Sequence, residues 1–390
     1  MSIVFPGFTG NPEIVARGPP IDIRPAPGED SAMQLAYKQD FERVTGVWKA
    51  YWEGEVVSRP PVWAVVTRPG AAPVDLSRRY YHAVHRNYDH FLQQVDLMLE
   101  GTEFLGESLP LIGPDLGPDQ FAAFLGSDFE FSPDSPDTDW VHQVIDDWDA
   151  FLPVRMDRNG PHWQGILTLS GLLARHSEGR YLVSVADLHS NMDAFLALRG
   201  SERLCMDFYD QPDQIAKAMI QVRALYRPVY DALYEAGGMG GPRGSAGWAP
   251  FWAPGKFATI QCDFLALLSP EISRRYVIPA LEEEASYLDR CVYHLDGPSC
   301  LPHLDDILAI KGIDAIQWVP GAGKPPMHEW MDVLKKCQAA GKGLQMYDIH
   351  DLETVKKIAH ELRPEGLMYV VDVPTRGEAL QIMDWLERNT

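Results

Sequence analysis

Aspartate and histidine recur at short spacing in the second half of this chain, often two residues apart. Asp187-Leu-His189, His294-Leu-Asp296 and Asp348-Ile-His350 are three such pairs, and Cys262-Asp263 and Asp372 add further donors. In an extended strand, residues two apart point to the same side, so each pair presents an imidazole and a carboxylate together. Such a pair does one of two kinds of chemistry. It holds a divalent metal, since neutral imidazole and carboxylate suit zinc, iron or manganese. Alternatively it works without metal as a hydrogen-bonded acid–base pair. For the metal reading, His294 and Asp296 supply two ligands, and Cys262 or His350 a third. Asp187, His189, His294, Asp296 and His350 are the candidate catalytic groups. A bland reading stands beside this one, because Asp and His also cap the next helix, as Asp351 does in the motif that follows His350.

Aromatic residues are the second chemical feature. The stretch GWAPFWAPGKF, residues 247–257, places Trp248, Phe251, Trp252 and Phe257 among prolines. With Trp318 and Tyr347 they are expected to form rigid apolar walls for a flat or apolar ligand, and Trp248, Trp252, Trp318 and Tyr347 are the candidate substrate contacts. Ordinary packing under a loop is the alternative. Gly321-Ala-Gly323-Lys324 lacks the spacing of a phosphate-binding loop. His82 and His85, with Asp89 beyond, read as surface or interface residues on a helix.

The elements that must carry these residues alternate between strand and helix. Residues 32–53 read as a helix with Leu35, Phe41, Val44, Val47 and Trp48 on one face. Pro61–Thr67 is a strand, 78–100 a long helix, and 103–112 a weaker strand. Strands follow at Tyr181–Ala186, Ala258–Cys262, Cys291–His294, Asp314–Trp318, Leu344–Tyr347 and Leu367–Val373. Helices separate them at 211–236, from Ser269-Pro270-Glu271 to about 290, at 303–312, 327–340 and 351–363, and after Thr375. The Ser-Pro-Glu start is an N-cap followed by proline at the first helical position, and Thr375-x-x-Glu378 matches a capping box. About eight strands in βα order predict a single closed (β/α)8 barrel, with its active site at the C-terminal strand ends where the Asp/His pairs lie. Residues 1–54 are expected to be an N-terminal arm and helix, 55–390 the barrel, and 113–165, rich in Pro, Asp and Trp, an inserted segment.

The 390 residues carry 34 basic against 55 acidic side chains, a net charge of −21. That balance disfavours nucleic acid and anionic membrane surfaces as partners. No run of about 18 apolar residues is present for a bilayer span, and the first residues lack the basic and apolar regions of a signal peptide. Five cysteines without a CxxC motif imply reduced thiols and a cytoplasmic location.

Three stretches, ADLHSNMDAFLALRGSERLCMDFYDQPDQI, QCDFLALLSPEISRRYVIPALEE and VYHLDGPSCLPHLDDILAIKGIDAIQWVPGAG, resemble the uroporphyrinogen decarboxylase-like superfamily over roughly 55–390. The resemblance implies a (β/α)8 barrel and either porphyrinogen decarboxylation or methyl transfer to and from a corrinoid. The Arg-rich motif of the decarboxylases does not follow Thr67, where only Arg68-Pro-Gly stands, so the decarboxylase branch is disfavoured. In the methyltransferase branch a His-x-Cys motif ends the fifth strand and holds zinc. His294 matches, and Asp296 replaces the cysteine. The resemblance thus implies a methyltransferase-like enzyme with a small-molecule substrate and a harder metal site or none. Its corrinoid would come from a partner protein or as free cobalamin, since the chain lacks a DxHxxG motif. A homodimer is also implied. A lyase or hydrolase acting on a small, sugar-like substrate through the same Asp/His rim is the competing expectation.

Overall fold

The computed structural model describes residues 33–390 except 72, 73, 75–77 and 137. Most of the expected arm therefore lies outside the described residues. The first helix is Phe41–Trp52, shorter than the expected 32–53. Phe41, Val44, Val47, Trp48, Tyr51 and Trp52 are buried at helical spacing, and Glu42 and Lys49 sit at the ends that favour their charges. Leu35 and Lys38 bridge in a turn ahead of it.

Among the described residues, thirteen strands follow in chain order. They are β1 Val62–Thr67, β2 Thr102–Gly106, β3 Leu111–Ile112, β4 Phe129–Glu130, β5 Trp140–Val141, β6 Leu182–Val183, β7 Ser245–Ala246, β8 Trp252–Ala253 and β9 Phe257–Gln261, then β10 Arg290–Asp296, β11 Ala315–Val319, β12 Gly343–Ile349 and β13 Leu367–Val371. Seven form one sheet in the order β2-β1-β13-β12-β11-β10-β9. All its pairs are parallel except β1 with β2. Helices Pro270–Tyr276, Ile278–Tyr287, Leu304–Ala309, Met331–Ala339 and Leu352–Glu361 connect these parallel strands. The architecture is thus α/β with a mostly parallel sheet.

The hydrogen-bonded ladder is not the expected closed eight-stranded barrel. β3 and β6 pair only with each other, and β7 pairs with β8. Each has two residues. Proline and glycine explain the brevity around β3, where Pro110, Gly113, Pro114, Gly117 and Pro118 remove donors and interrupt extended pairing. Single bonds reach across instead. Ser108 Oγ donates to Ala64 O, Val185 N–H to Ala246 O, and Phe257 N–H to Ser245 Oγ.

Other expectations shift in detail. The helix expected over 78–100 breaks into Arg79–Val84 and Tyr88–Gly101, with Arg86 at φ 57° between them. The weak strand at 103–112 becomes antiparallel β2 and short β3. The segment 113–165 holds the helix Gln120–Phe124, the hairpin β4–β5, the short helix Trp148–Phe151 and the start of Pro161–His176. Asp351 and Thr375 each cap the following helix through their side chains. Among the described residues no helix is long and apolar enough to cross a membrane.

The core has two parts. The larger lies between the sheet and its helices. The smaller closes the N-terminal end of the sheet: Trp48, Tyr51 and Trp52 pack with Phe251, Trp252 and Phe257 against Val292, Ala315 and Met368. Trp52 Nε1 donates to Trp252 O at 2.8 Å. Gly343 is required here, since a Cβ would lie 2.7 Å from the Tyr51 hydroxyl and 2.9 Å from Gly366 O. Buried Glu107 fastens the helix to the sheet. It meets Arg59 at 2.6 Å, Arg43 at 2.9 Å and the Val62 N–H at 2.9 Å, and Trp48 Nε1 donates to its carbonyl.

A candidate metal centre above a glutamine belt

Strand register builds this site in layers. Gln261 on β9, His294 on β10 and Gln317 on β11 are aligned partners. Gln317 Nε2 donates to Gln345 Oε1 on β12 at 2.5 Å, and Gln317 Oε1 lies 2.5 Å from His294 Nδ1. An amide oxygen only accepts, so Nδ1 carries the proton and the Nε2 lone pair is left to the layer above. Two residues further along, Asp263, Asp296 and Tyr347 occupy that layer. The aromatic end-cap lies beneath, at Val292.

Ligand atoms of Asp263, His294 and Asp296 lie within 4.8 Å of one another. A second group of the same kind is His189, Asp193 and Asp263. The two are electrostatically distinct. His294 is held below the usual imidazole value by burial, against the Gln317 bond and the Asp296 charge. It is neutral near pH 7 and able to ligate. Burial opposes charge on His189 as well. There Asp187, at 3.3 Å, with Asp193 and Asp263, wins and pushes the imidazole up to about 10. His189 is therefore an imidazolium whose proton already balances part of the acidic cluster. Burial and the Asp193 charge push Asp263 up to about 7. Its Oδ1 is buried without a partner, the state expected of an oxygen awaiting a proton or a cation.

Asp193 and Asp115 hold this layer together. Asp193 accepts the N–H groups of Asp263 at 2.9 Å and Phe264 at 3.0 Å, which ties the helix Asn191–Arg199 to the end of β9. Asp115 accepts the Asp187 N–H at 2.9 Å, and Gln120 donates to Asp187 O. Behind them, buried Glu284 accepts from Ser190 Oγ at 2.6 Å and from Asn191 Nδ2.

Asp187, His189, His294 and Asp296 are thus brought together. His350 is not among them. It is exposed, and bonds Asp348 at 2.8 Å and Asp372 O at 3.1 Å as a separate rim group. Cys262 is not a member of either ligand group. It sits between Gln261 and Asp263, so alternation turns it to the other side. There its thiol donates to Asp193 Oδ1 at 3.4 Å, and burial pushes its pKa well up. Asp263, its neighbour, stands where the cysteine was expected.

The aromatic wall is also redistributed. Trp252, with Phe251 and Phe257, belongs to the buried end-cap, because Trp252 Nε1 is bound by Arg243 O at 2.7 Å and its ring by Phe41. Trp318 is fully buried against Trp330, at 5.3 Å between centroids. Trp248 does reach the site, its ring edge-on to His294 at 5.2 Å. Tyr347 is half-buried beside it in the upper layer, its hydroxyl pushed up to about 12 by burial. Asp193, Asp115 and the glutamine belt were missed as functional residues, and Asp263 was named only as a further donor at its strand end. The signal for the belt was present, since Gln261-x-Asp263, His294-x-Asp296 and Gln345-x-Tyr347 repeat one i, i+2 pattern.

No protein-family model matches the chain, and no curated protein matches it. Among solved structures, a methyltransferase from Methanosarcina mazei is similar with a TM-score of 0.56 at 12% identity. The match covers 88% of this chain and 98% of that one. At that identity the likeness is one of fold.

Proposed function

We propose that this chain is a methyltransferase-type enzyme whose site holds a divalent cation through Asp263, His294 and Asp296. The observation that carries the reading is the convergence of those three ligand atoms, with the His294 proton fixed on Nδ1 by Gln317. The fold likeness to a methyltransferase supports the reaction class, and the sequence resemblance supports the same branch. We read the arc of strands and the single bonds beyond its ends as an irregular barrel, with the site at its C-terminal mouth.

The donor set is two carboxylates and one imidazole, with a buried unpartnered oxygen on Asp263. It fits a hard or borderline ion such as manganese, iron or zinc, and contains no thiolate. When bound, the ion supplies Lewis acidity to an oxygen or nitrogen of a small substrate. The chain's own groups do the rest. Gln317 and Gln345 hold the His294 ring in one orientation. Trp248 packs against that ring. His189 keeps a proton beside Asp187, ready for a group that gains negative charge. Asp193 fixes the height of Asp263.

A corrinoid fits less well. Three of the aromatic residues assigned to an apolar mouth lie in the end-cap, and Trp318 is buried. Among the described aromatic residues named here, Trp248, Trp330 and Tyr347 keep partial exposure. The corrinoid partner rests on the sequence resemblance alone. The test is incubation of the manganese-loaded protein with methylcobalamin and candidate acceptors, followed by the visible spectrum. Loss of the methylcobalamin bands in wild type, and not in His294→Ala, supports methyl transfer. Unchanged spectra with amine, thiol and hydroxyl acceptors contradict it.

A further inference from the structure

Glu284 is a buried carboxyl group on the helix Ile278–Tyr287. It stands among buried Ala280, Leu281 and Ala285, where the apolar face of an amphipathic helix calls for a hydrocarbon side chain. Only 2% of it is exposed. Burial, with the charges of Asp193 and Glu283, pushes its carboxyl up to about 7, against the bonds it accepts. Burying such a group costs free energy unless donors meet it. Both donors come from one turn far away in the chain. Ser190 Oγ donates to Glu284 Oε1 at 2.6 Å, and Asn191 Nδ2 donates to the same oxygen at 3.2 Å.

That turn joins His189 to the helix Asn191–Arg199, and two of its residues depart from their local preferences. Ser190 is the N-cap, yet its hydroxyl makes no cap bond and is given to Glu284 instead. Asn191 has a φ of 49°, in the left-handed region, and its Oδ1 accepts the Met192 N–H at 2.6 Å. An acid on an apolar helix face, a diverted cap and a left-handed residue thus meet in one set of bonds. Such departures from local preference are expected at functional sites rather than in ordinary packing. The same turn is tied to the end of β9. Asn191 Nδ2 reaches Gln261 O at 3.4 Å, and Asp193 accepts the N–H groups of Asp263 and Phe264.

We propose that Glu284 is a positioning residue of the metal centre. It fixes the turn Ser190–Asn191, the turn sets the height of Asp193, and Asp193 sets the place of Asp263. The consequence for metal binding rests on the cation reading above. The positioning itself is a property of the metal-free chain and is tested there.

Two measurements on the full chain test it. Hydrogen exchange of the metal-free protein follows the Asp263 and Phe264 amides, and calorimetric titration follows manganese. Glu284→Leu keeps most of the volume and removes the acceptor. Asn191→Gly accepts the left-handed backbone and removes the tether. In both variants the two amides should exchange at least about tenfold faster than in wild type. The core amides of Leu344 and Tyr369, bonded to Gly366 O and Pro61 O, should keep their rates. Manganese should bind about 10–100-fold more weakly in both. Glu284→Gln keeps an oxygen for Ser190 and Asn191, and should restore both measurements to the wild-type range. Unchanged exchange of the Asp263 and Phe264 amides in Glu284→Leu and Asn191→Gly overturns the proposal. Acceleration that extends to Leu344 and Tyr369 in both variants overturns it too, since it shows a group that serves stability alone. So does faster exchange with wild-type manganese affinity, or a loss in Glu284→Gln equal to that in Glu284→Leu. A wild-type chain that binds no manganese contradicts the cation reading instead, and the amides then decide the positioning by themselves.

Discussion

Gln317 accepts the His294 Nδ1 proton, and this bond decides which nitrogen faces the mouth. Replacing it by leucine keeps the approximate shape and removes the acceptor. Gln317→Leu should weaken divalent-cation binding by about 10–100-fold, as expected for losing a partner that orients a ligand. Isothermal titration with manganese measures this, and unchanged affinity would show that the imidazole needs no such support. Asp139 allows a second test at this scale. It is fully buried, with both carboxylate oxygens unpartnered, beside Gly117. Burial and then Asp119 push it up to about 8 from 3.8. The folded state therefore holds a proton that the unfolded chain releases. The group's contribution to stability is full below the unfolded value near 3.8 and is lost as pH rises towards 8. Asp139→Asn carries no such proton, so its stability relative to wild type should rise by up to about 5 kcal/mol between pH 4 and pH 8, at about 1.4 kcal/mol for each unit by which the folded value is raised. Urea unfolding at both values measures it, and a constant difference would refute the buried neutral acid. Legibility at this scale was uneven. The His294 and Asp296 pair could be seen because a strand of period two puts both on one face. Cys262 was a poor choice by the same rule, since Gln261 and Asp263 flank it and it must face away. Asp193 lies on a helix and Asp115 in a Pro/Gly-rich loop, where no strand period marks them.

The helix Phe41–Trp52 and the strand β1 are joined by Glu107, Arg59 and Arg43. Burial works against charge on Glu107, yet Arg59 and the Val62 N–H hold its carboxyl below the usual range. Removing one partner of such a pair leaves the other charge buried. Arg59→Met should therefore cost about 3–5 kcal/mol at pH 7, and the double change with Glu107→Leu should cost much less. Chemical denaturation of both variants checks this, and near-equal losses would contradict the pairing account. The parallel strands from β9 to β13 were readable because each is a short β-branched or apolar run followed by a helix, with a side-chain cap on the helices after β9, β12 and β13. β3, β6 and β7 were not readable as brief fragments. Their pairing is limited by nearby Pro and Gly and by tertiary contacts that local pattern does not encode. The end-cap was misread for a related reason. GWAPFWAPGKF has the composition of a ligand wall, and which side of the sheet it covers depends on Trp48 and Trp52, some two hundred residues earlier.

Across the whole molecule, a net charge of −21 favours cations at an acidic mouth. Manganese affinity should fall as sodium chloride is raised, since screening weakens attraction to Asp187, Asp193, Asp263 and Asp296. A salt-independent affinity would place the ion elsewhere. We also carry the homodimer as a proposal, checked by sedimentation, where a mass of one chain at all concentrations refutes it. The order of strands and helices revealed an α/β chain. Closure of the sheet could not be read, because it depends on single bonds such as Val185 to Ala246 between distant segments. The central claim is that Asp263, His294 and Asp296, rather than the His189 group, hold the ion. Cobalt(II) substitution tests it most directly through the visible spectrum of the bound ion. The account predicts ligand-field bands without a thiolate charge-transfer band, lost in His294→Ala and in Asp296→Ala and kept in His189→Ala and in Cys262→Ser. Bands that survive His294→Ala and vanish in His189→Ala would contradict it.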